Sequence, residues 1–135
     1  MKTEAFIIHL ARAKSRKPQV DHIRVSLSIP SHVVSAVDGQ DLSDEEVGQL
    51  FRPRLMRPRY PFALGRNEIA CFLSHRKCWQ LILEKQLDFG LVVEDDVNID
   101  SPELSALIDF NVRNARPSDF VRFPKTLHNE RGPEV

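Results

Sequence analysis

Three consecutive acids, Glu94-Asp95-Asp96, follow an apolar run, Leu91-Val92-Val93, with no residue between. Side chains alternate along a strand, so if the strand runs on to Asp96, Glu94 and Asp96 share one face and Asp95 takes the other. Two carboxylates roughly 7 Å apart on one side suit a hard divalent cation that keeps phosphate and water oxygens as its other ligands. The alternative is a solvated acidic turn that ends a strand. Asp100 could join the site or cap the next helix. Arg12, Lys14 and Arg16 follow the first apolar run, where a diphosphate would meet a strand end. Arg52, Arg54, Arg57, Arg59 and Arg66 crowd a proline-containing loop. They could clamp an anion or simply be solvated opposite the acids at 41–46.

A second cluster lies on a helix. At 100° per residue, Ile69, Phe72, His75, Trp79, Ile82, Leu83, Cys71 and Cys78 fall within one arc of about 200°, which predicts a helix buried on much of its circumference. His75 sits mid-arc with Glu68 in line two turns earlier. The pair reads either as ligand-facing residues or as a core histidine hydrogen-bonded to backbone or to a neighbouring acid. A zinc site from Cys71, His75 and Cys78 lacks an evident fourth ligand and is disfavoured. The two cysteines are two turns apart, too far for a disulfide, and free thiols point to a reducing, cytoplasmic setting.

These residues need elements to hold them. Strands are expected at Ala5–Leu10, His32–Val37, Phe89–Val93 and Phe120–Phe123, the third apolar on both faces like a central strand. Helices are expected from a Ser15 cap with Pro18 in the first turn, and from a Ser43–Glu46 capping box to about Phe51. Two more should run from Arg66 or Asn67 to about Gln86, and from Ser101 to about Asn114. Asp38-Gly39 marks a turn. The β-α-β-α-α-β-α-β order predicts an α/β fold, a mostly parallel sheet with helices on both faces and ligands beyond the strands' carboxyl ends.

The composition sets limits. The chain of 135 residues carries 19 basic and 19 acidic side chains, which fits one domain, 1–135, and argues against bulk attraction to nucleic acid. No apolar run approaches the ~20 residues of a membrane span, and the N-terminus is too polar for a signal peptide. GxGxxG, GxxxxGK[ST] and GxSxG motifs are absent, so dinucleotide, P-loop and serine-hydrolase readings have no support. A metal-dependent phosphohydrolase is disfavoured for want of a nucleophile at the expected strand end.

Two segments, Asn67-Glu68-Ile69-Ala70-Cys71-Phe72-Leu73-Ser74-His75 and Val92-Val93-Glu94-Asp95-Asp96, resemble the signature of glycosyltransferase family 25. Ile7-Ile8-His9-Leu10 through Arg16, and Ala36-Val37-Asp38-Gly39, are similar to its opening strand and its Ala-x-Asp-Gly turn. His9 stands where the family has asparagine, and Asn67 and Ala70 stand where it has glycine. The resemblance implies a Rossmann-like GT-A nucleotide-sugar fold, with the acidic triplet as a DxD-type motif. It implies Asp96 and Glu94 as ligands of Mn²⁺ or Mg²⁺, and Leu10, Arg12, Arg16, Asp38 and Glu94 around a UDP-sugar. Asp95, Glu68 and His75 are the implied catalytic candidates. The implied reaction moves a hexose, galactose foremost, from the UDP-sugar to a surface glycan such as lipooligosaccharide. A lipid-linked acceptor and the inner face of the bacterial inner membrane are within its scope. The family domain continues past the triplet, so an incomplete domain that keeps only donor binding, and that self-associates through its open side, is the rival expectation.

Overall fold

The computed structural model describes residues 2–50, 65–99 and 101–123. Three strands, β1 (Thr3–His9), β2 (Ser31–Ser35) and β3 (Phe89–Glu94), form a parallel sheet in the order β2-β1-β3. Four helices, α1 (Lys17–Ser26), α2 (Asp44–Leu50), α3 (Arg66–Glu84) and α4 (Ser101–Asn114), accompany it.

The alternation in β1 divides the core. Ala5 and Ile7 point to one face and pack with Val20, Ile23 and Leu27 from α1 and its end, with Val93 and with Leu104 of α4. Phe6 and Ile8 point to the other face and meet Val34 with Cys78, Leu81 and Ile82 of α3. The sheet is therefore covered on both sides, the α/β layering expected of a Rossmann-like fold. Because β1 pairs on both edges, it is the central strand, and β3 lies at an edge of the described sheet. The apolar character of β3 fits its being covered on both faces.

Other expectations shift with tertiary context. A 3₁₀ turn at Lys14–Arg16 takes up Ser15, so α1 begins at Lys17 with Pro18 in its first turn and no side-chain cap. The Ser43–Glu46 capping box forms in both directions, at 3.3 and 3.1 Å. Helix α3 buries Ile69, Ala70, Ser74 and Cys78, a narrower stripe than the 200° arc. Phe72 is 50 % exposed and Leu83 is 76 % exposed, because α3 meets one face of one sheet. No strand forms at Phe120–Phe123; a turn closed by Asp119 on Arg116 precedes it, and Phe120 is 81 % exposed. Phe51, Asp100 and the arginines at 52–59 lie outside the described residues. Arg66 opens α3 and bonds the Leu42 carbonyl and Asp44.

Two glycines set the helix–sheet spacing. A Cβ on Gly90 would come within 2.2 Å of Ile82 Cδ1, so glycine lets α3 lie close on β3. A Cβ on Gly39 would approach Asn67 Oδ1 to 2.8 Å and the Arg66 backbone to 3.2 Å, so glycine there admits the start of α3. Neither has a positive φ; close approach is the reason for both.

Candidate donor-binding site

A cleft of about 290 Å³ opens beyond the carboxyl ends of the three strands. Its walls come from the turn after β1 (Leu10, Arg12, Arg16), the turn after β2 (Val37, Asp38, Gly39), α3 (Asn67, Cys71, Ser74, His75) and the end of β3 (Glu94, Asp95, Asp96). Strand order β2-β1-β3 puts a topological switch point between β1 and β3, the place where open α/β sheets bind ligands.

Parity along the strands decides where the acids go. Asp95 lies two residues beyond Val93 and His9 two beyond Ile7, so both continue the face that α1 covers. A carboxylate only 5 % exposed needs charged or hydrogen-bonding partners. It has two: His9 Nδ1 at 2.8 Å from Oδ2 and Arg16 Nη1 at 2.9 Å from Oδ1. The Asp95 contact, with Asp96 and Glu94 beyond it, raises the Arg16 guanidinium above its ordinary pKa. Gln19 Nε2 donates to the Val97 carbonyl at 2.6 Å and ties the start of α1 to the same turn.

Glu94 continues the opposite face, after Val92, and meets α3. His75 Nε2 lies 3.4 Å and Cys71 Sγ 3.6 Å from Glu94 Oε1. Burial, with Glu94 second, pushes the Cys71 thiol up. Strand β3 ends at Glu94, and Asp95 and Asp96 occupy the turn. Glu94 and Asp95 thus diverge as alternation requires, and Asp96 lines the cleft from the turn.

On the other wall, Arg12 forks onto Asp38, with Nε 2.5 Å from Oδ2 and Nη2 3.3 Å from Oδ1. The guanidinium, then the Gln40 amide, hold the Asp38 carboxyl below the usual carboxylate range. Ser74 Oγ accepts from the Val37 amide at 2.9 Å and donates to the Ala70 carbonyl at 2.8 Å, which fixes the Asp38 turn against α3.

The structure therefore brings Leu10, Arg12, Arg16, Asp38, His75, Glu94, Asp95 and Asp96 to one cleft. Glu68 is not in its lining; it sits in the first turn of α3, its Oε1 close to Gly65. Cys78 is fully buried among core residues, away from any site shared with Cys71 and His75. Ser74 lines the cleft and His9 bonds Asp95 behind it, and neither is among the expected site residues. The signal for His9 was parity: it shares the face of Asp95, a buried acid that needs a partner.

The family model "Glycosyltransferase family 25 (LPS biosynthesis protein)" matches residues 2–131. The chain belongs to glycosyltransferase family 25. It is 33 % identical over 136 residues to a "Glycosyltransferase 25 family member" of Drosophila melanogaster, covering 96 % of this chain and 22 % of the relative. It is 35 % identical over 100 residues to "Procollagen galactosyltransferase 2" of Homo sapiens, covering 72 % of this chain and 16 % of the relative. A Rattus norvegicus relative, "Probable inactive glycosyltransferase 25 family member 3", is 33 % identical over 100 residues, 72 % of this chain and 18 % of that one. The chain thus spans about a fifth of the length of these family 25 relatives.

Proposed function

We propose that this family 25 chain binds a UDP-sugar in the strand-end cleft and transfers its hexose, galactose foremost, to a glycan hydroxyl. The observation that carries the reading is the convergence of Asp38, Arg12, Arg16 and the Glu94–Asp96 triplet at the switch point. Galactose is favoured by the galactosyltransferase name of a relative, and a surface glycan such as lipooligosaccharide by the family description.

In this reading Asp96, with Glu94, holds Mn²⁺ or Mg²⁺ through hard carboxylate oxygens. Bound there, the cation would neutralise charge developing on the departing diphosphate. Asp38 and the Leu10–Arg16 turn position the uridine end, and Arg12 and Arg16 set the positive side of the cleft. Asp95 acts by orienting Arg16 and His9, because both its oxygens are engaged. His75 is a catalytic candidate that meets Glu94 in the cleft, and Glu68 acts from outside the cleft lining. The chain works in the cytoplasm, at the inner membrane face when the acceptor is lipid-linked; no helix among the described residues is long and apolar enough to cross a membrane.

Mn²⁺ and UDP together should raise the melting temperature, and either alone should do less. Ligand at 100 times its dissociation constant adds about 2.7 kcal/mol, several degrees for a domain of this size. Asp96→Asn should remove the cation dependence and Glu103→Gln should leave it. A melting curve indifferent to Mn²⁺ with UDP, UDP-galactose and UDP-glucose would sink the donor reading.

A second reading, donor binding without turnover, rests on the engagement of both Asp95 oxygens, which leaves that carboxylate poorly placed as a base. UDP release from UDP-galactose in the presence of a glycan acceptor separates the two.

A further inference from the structure

Cys71 and His75 lie four residues apart on α3, so both project from one side of the helix. Glu94 comes to them from the end of β3, on the sheet face that α3 covers. One ligand atom from each, Sγ, an imidazole nitrogen and a carboxylate oxygen, falls within 4.8 Å of the other two. Two edges of that triangle are 3.4 Å (His75 to Glu94) and 3.6 Å (Cys71 to Glu94). A tetrahedral Zn²⁺ bound at about 2.0–2.1 Å to nitrogen and oxygen and about 2.3 Å to sulfur needs edges of roughly 3.3–3.6 Å.

We infer that Cys71, His75 and Glu94 form a binding site for Zn²⁺, three protein ligands with the fourth position open to the cleft. The donor set discriminates: thiolate and imidazole favour Zn²⁺, whereas Mn²⁺ and Mg²⁺ prefer all-oxygen surroundings. The site is built from two elements already packed together, α3 and β3. Cys71 lines the cleft beside Glu94, whereas Cys78 is buried in the core. The Zn²⁺ site does not depend on UDP binding. It does share Glu94 with the cation assigned to Asp96, so Zn²⁺ should weaken Mn²⁺-dependent binding of UDP.

Co²⁺ is the probe, because thiolate-bound Co²⁺ has a charge-transfer absorption that oxygen-bound Co²⁺ lacks. Titrating the reduced chain with Co²⁺ should develop that band to one equivalent, and Zn²⁺ should erase it. Cys71→Ser should abolish the band and Cys78→Ala should keep it, with circular dichroism checking that both variants fold. His75→Gln and Glu94→Gln should each weaken Zn²⁺ binding at least tenfold. A chain without the band, a band that survives Cys71→Ser, or Zn²⁺ affinity unmoved by His75→Gln and Glu94→Gln would overturn the site. If the band appears while Mn²⁺ and UDP leave the melting curve unchanged, the zinc site stands and the donor reading falls.

Discussion

Asp95 takes one bond from His9 at the end of β1 and another from Arg16 at the entry to α1, so a single carboxylate joins three elements around the cleft. Asp95→Asn keeps the shape and removes the charge that both partners answer. We expect a loss on the order of 1–3 kcal/mol, read by urea denaturation, and weaker UDP binding as Arg16 loses its anchor. Unchanged stability and affinity would mean that the bonds are incidental. Asp38 offers a test of sign. Its carboxyl is held below the usual range by Arg12, so its contribution to stability is full above the unfolded value of about 3.9 and is lost as pH falls through the lower folded value. Arg12→Gln should raise the Asp38 pKa toward the ordinary range, measured by NMR titration of its carboxyl carbon. An unmoved midpoint would assign the shift to the Gln40 amide instead.

At the scale of elements, α3 joins the sheet, the Asp38 turn and the acids. Its stripe Ala70, Ser74, Cys78 and Ile82 steps by four residues and lies on β3 and β1, with Gly90 under Ile82. Gly90→Ala places a methyl inside Ile82, whose β-branched χ1 has little room to change on a helix. The expected cost is about 1–3 kcal/mol, visible as a lower melting temperature, and Ile82→Ala in the same chain should recover part of it. Without such recovery the cost would belong to β3 itself rather than to the α3 contact. Gly39 works by the same logic at the other end of the helix, where Asn67 and the Arg66 backbone press on the Asp38 turn.

For the whole molecule, the sheet has β2 and β3 as its edges among the described strands, and α3 shows Phe72, Trp79 and Leu83 to solvent. Exposed edges and apolar side chains of this size favour pairing with another chain. The chain should therefore self-associate through these surfaces. Light scattering over a range of concentrations checks this, and a clean monomer at every concentration would overturn it.

Local pattern was enough for the acidic triplet, the Ser43 capping box, the long helix and the order β-α-β-α-α-β-α up to α4, because caps, turns and hydrophobic periods act over a few residues. The motif residues were enough to point to family 25. Only the tertiary structure decided that β1 is central, that Asp95 turns inward to His9 and Arg16, and that Glu94 meets Cys71 and His75. It also decided that Phe120 to Phe123 makes no strand and that Glu68 stays outside the cleft lining. Each of these depends on which strand pairs with which, and on which sheet face a side chain inherits. Those are relations between residues as much as 86 positions apart, as Asp95 and His9 are. Local sequence carries the period of a strand; strand pairing decides what its side chains meet.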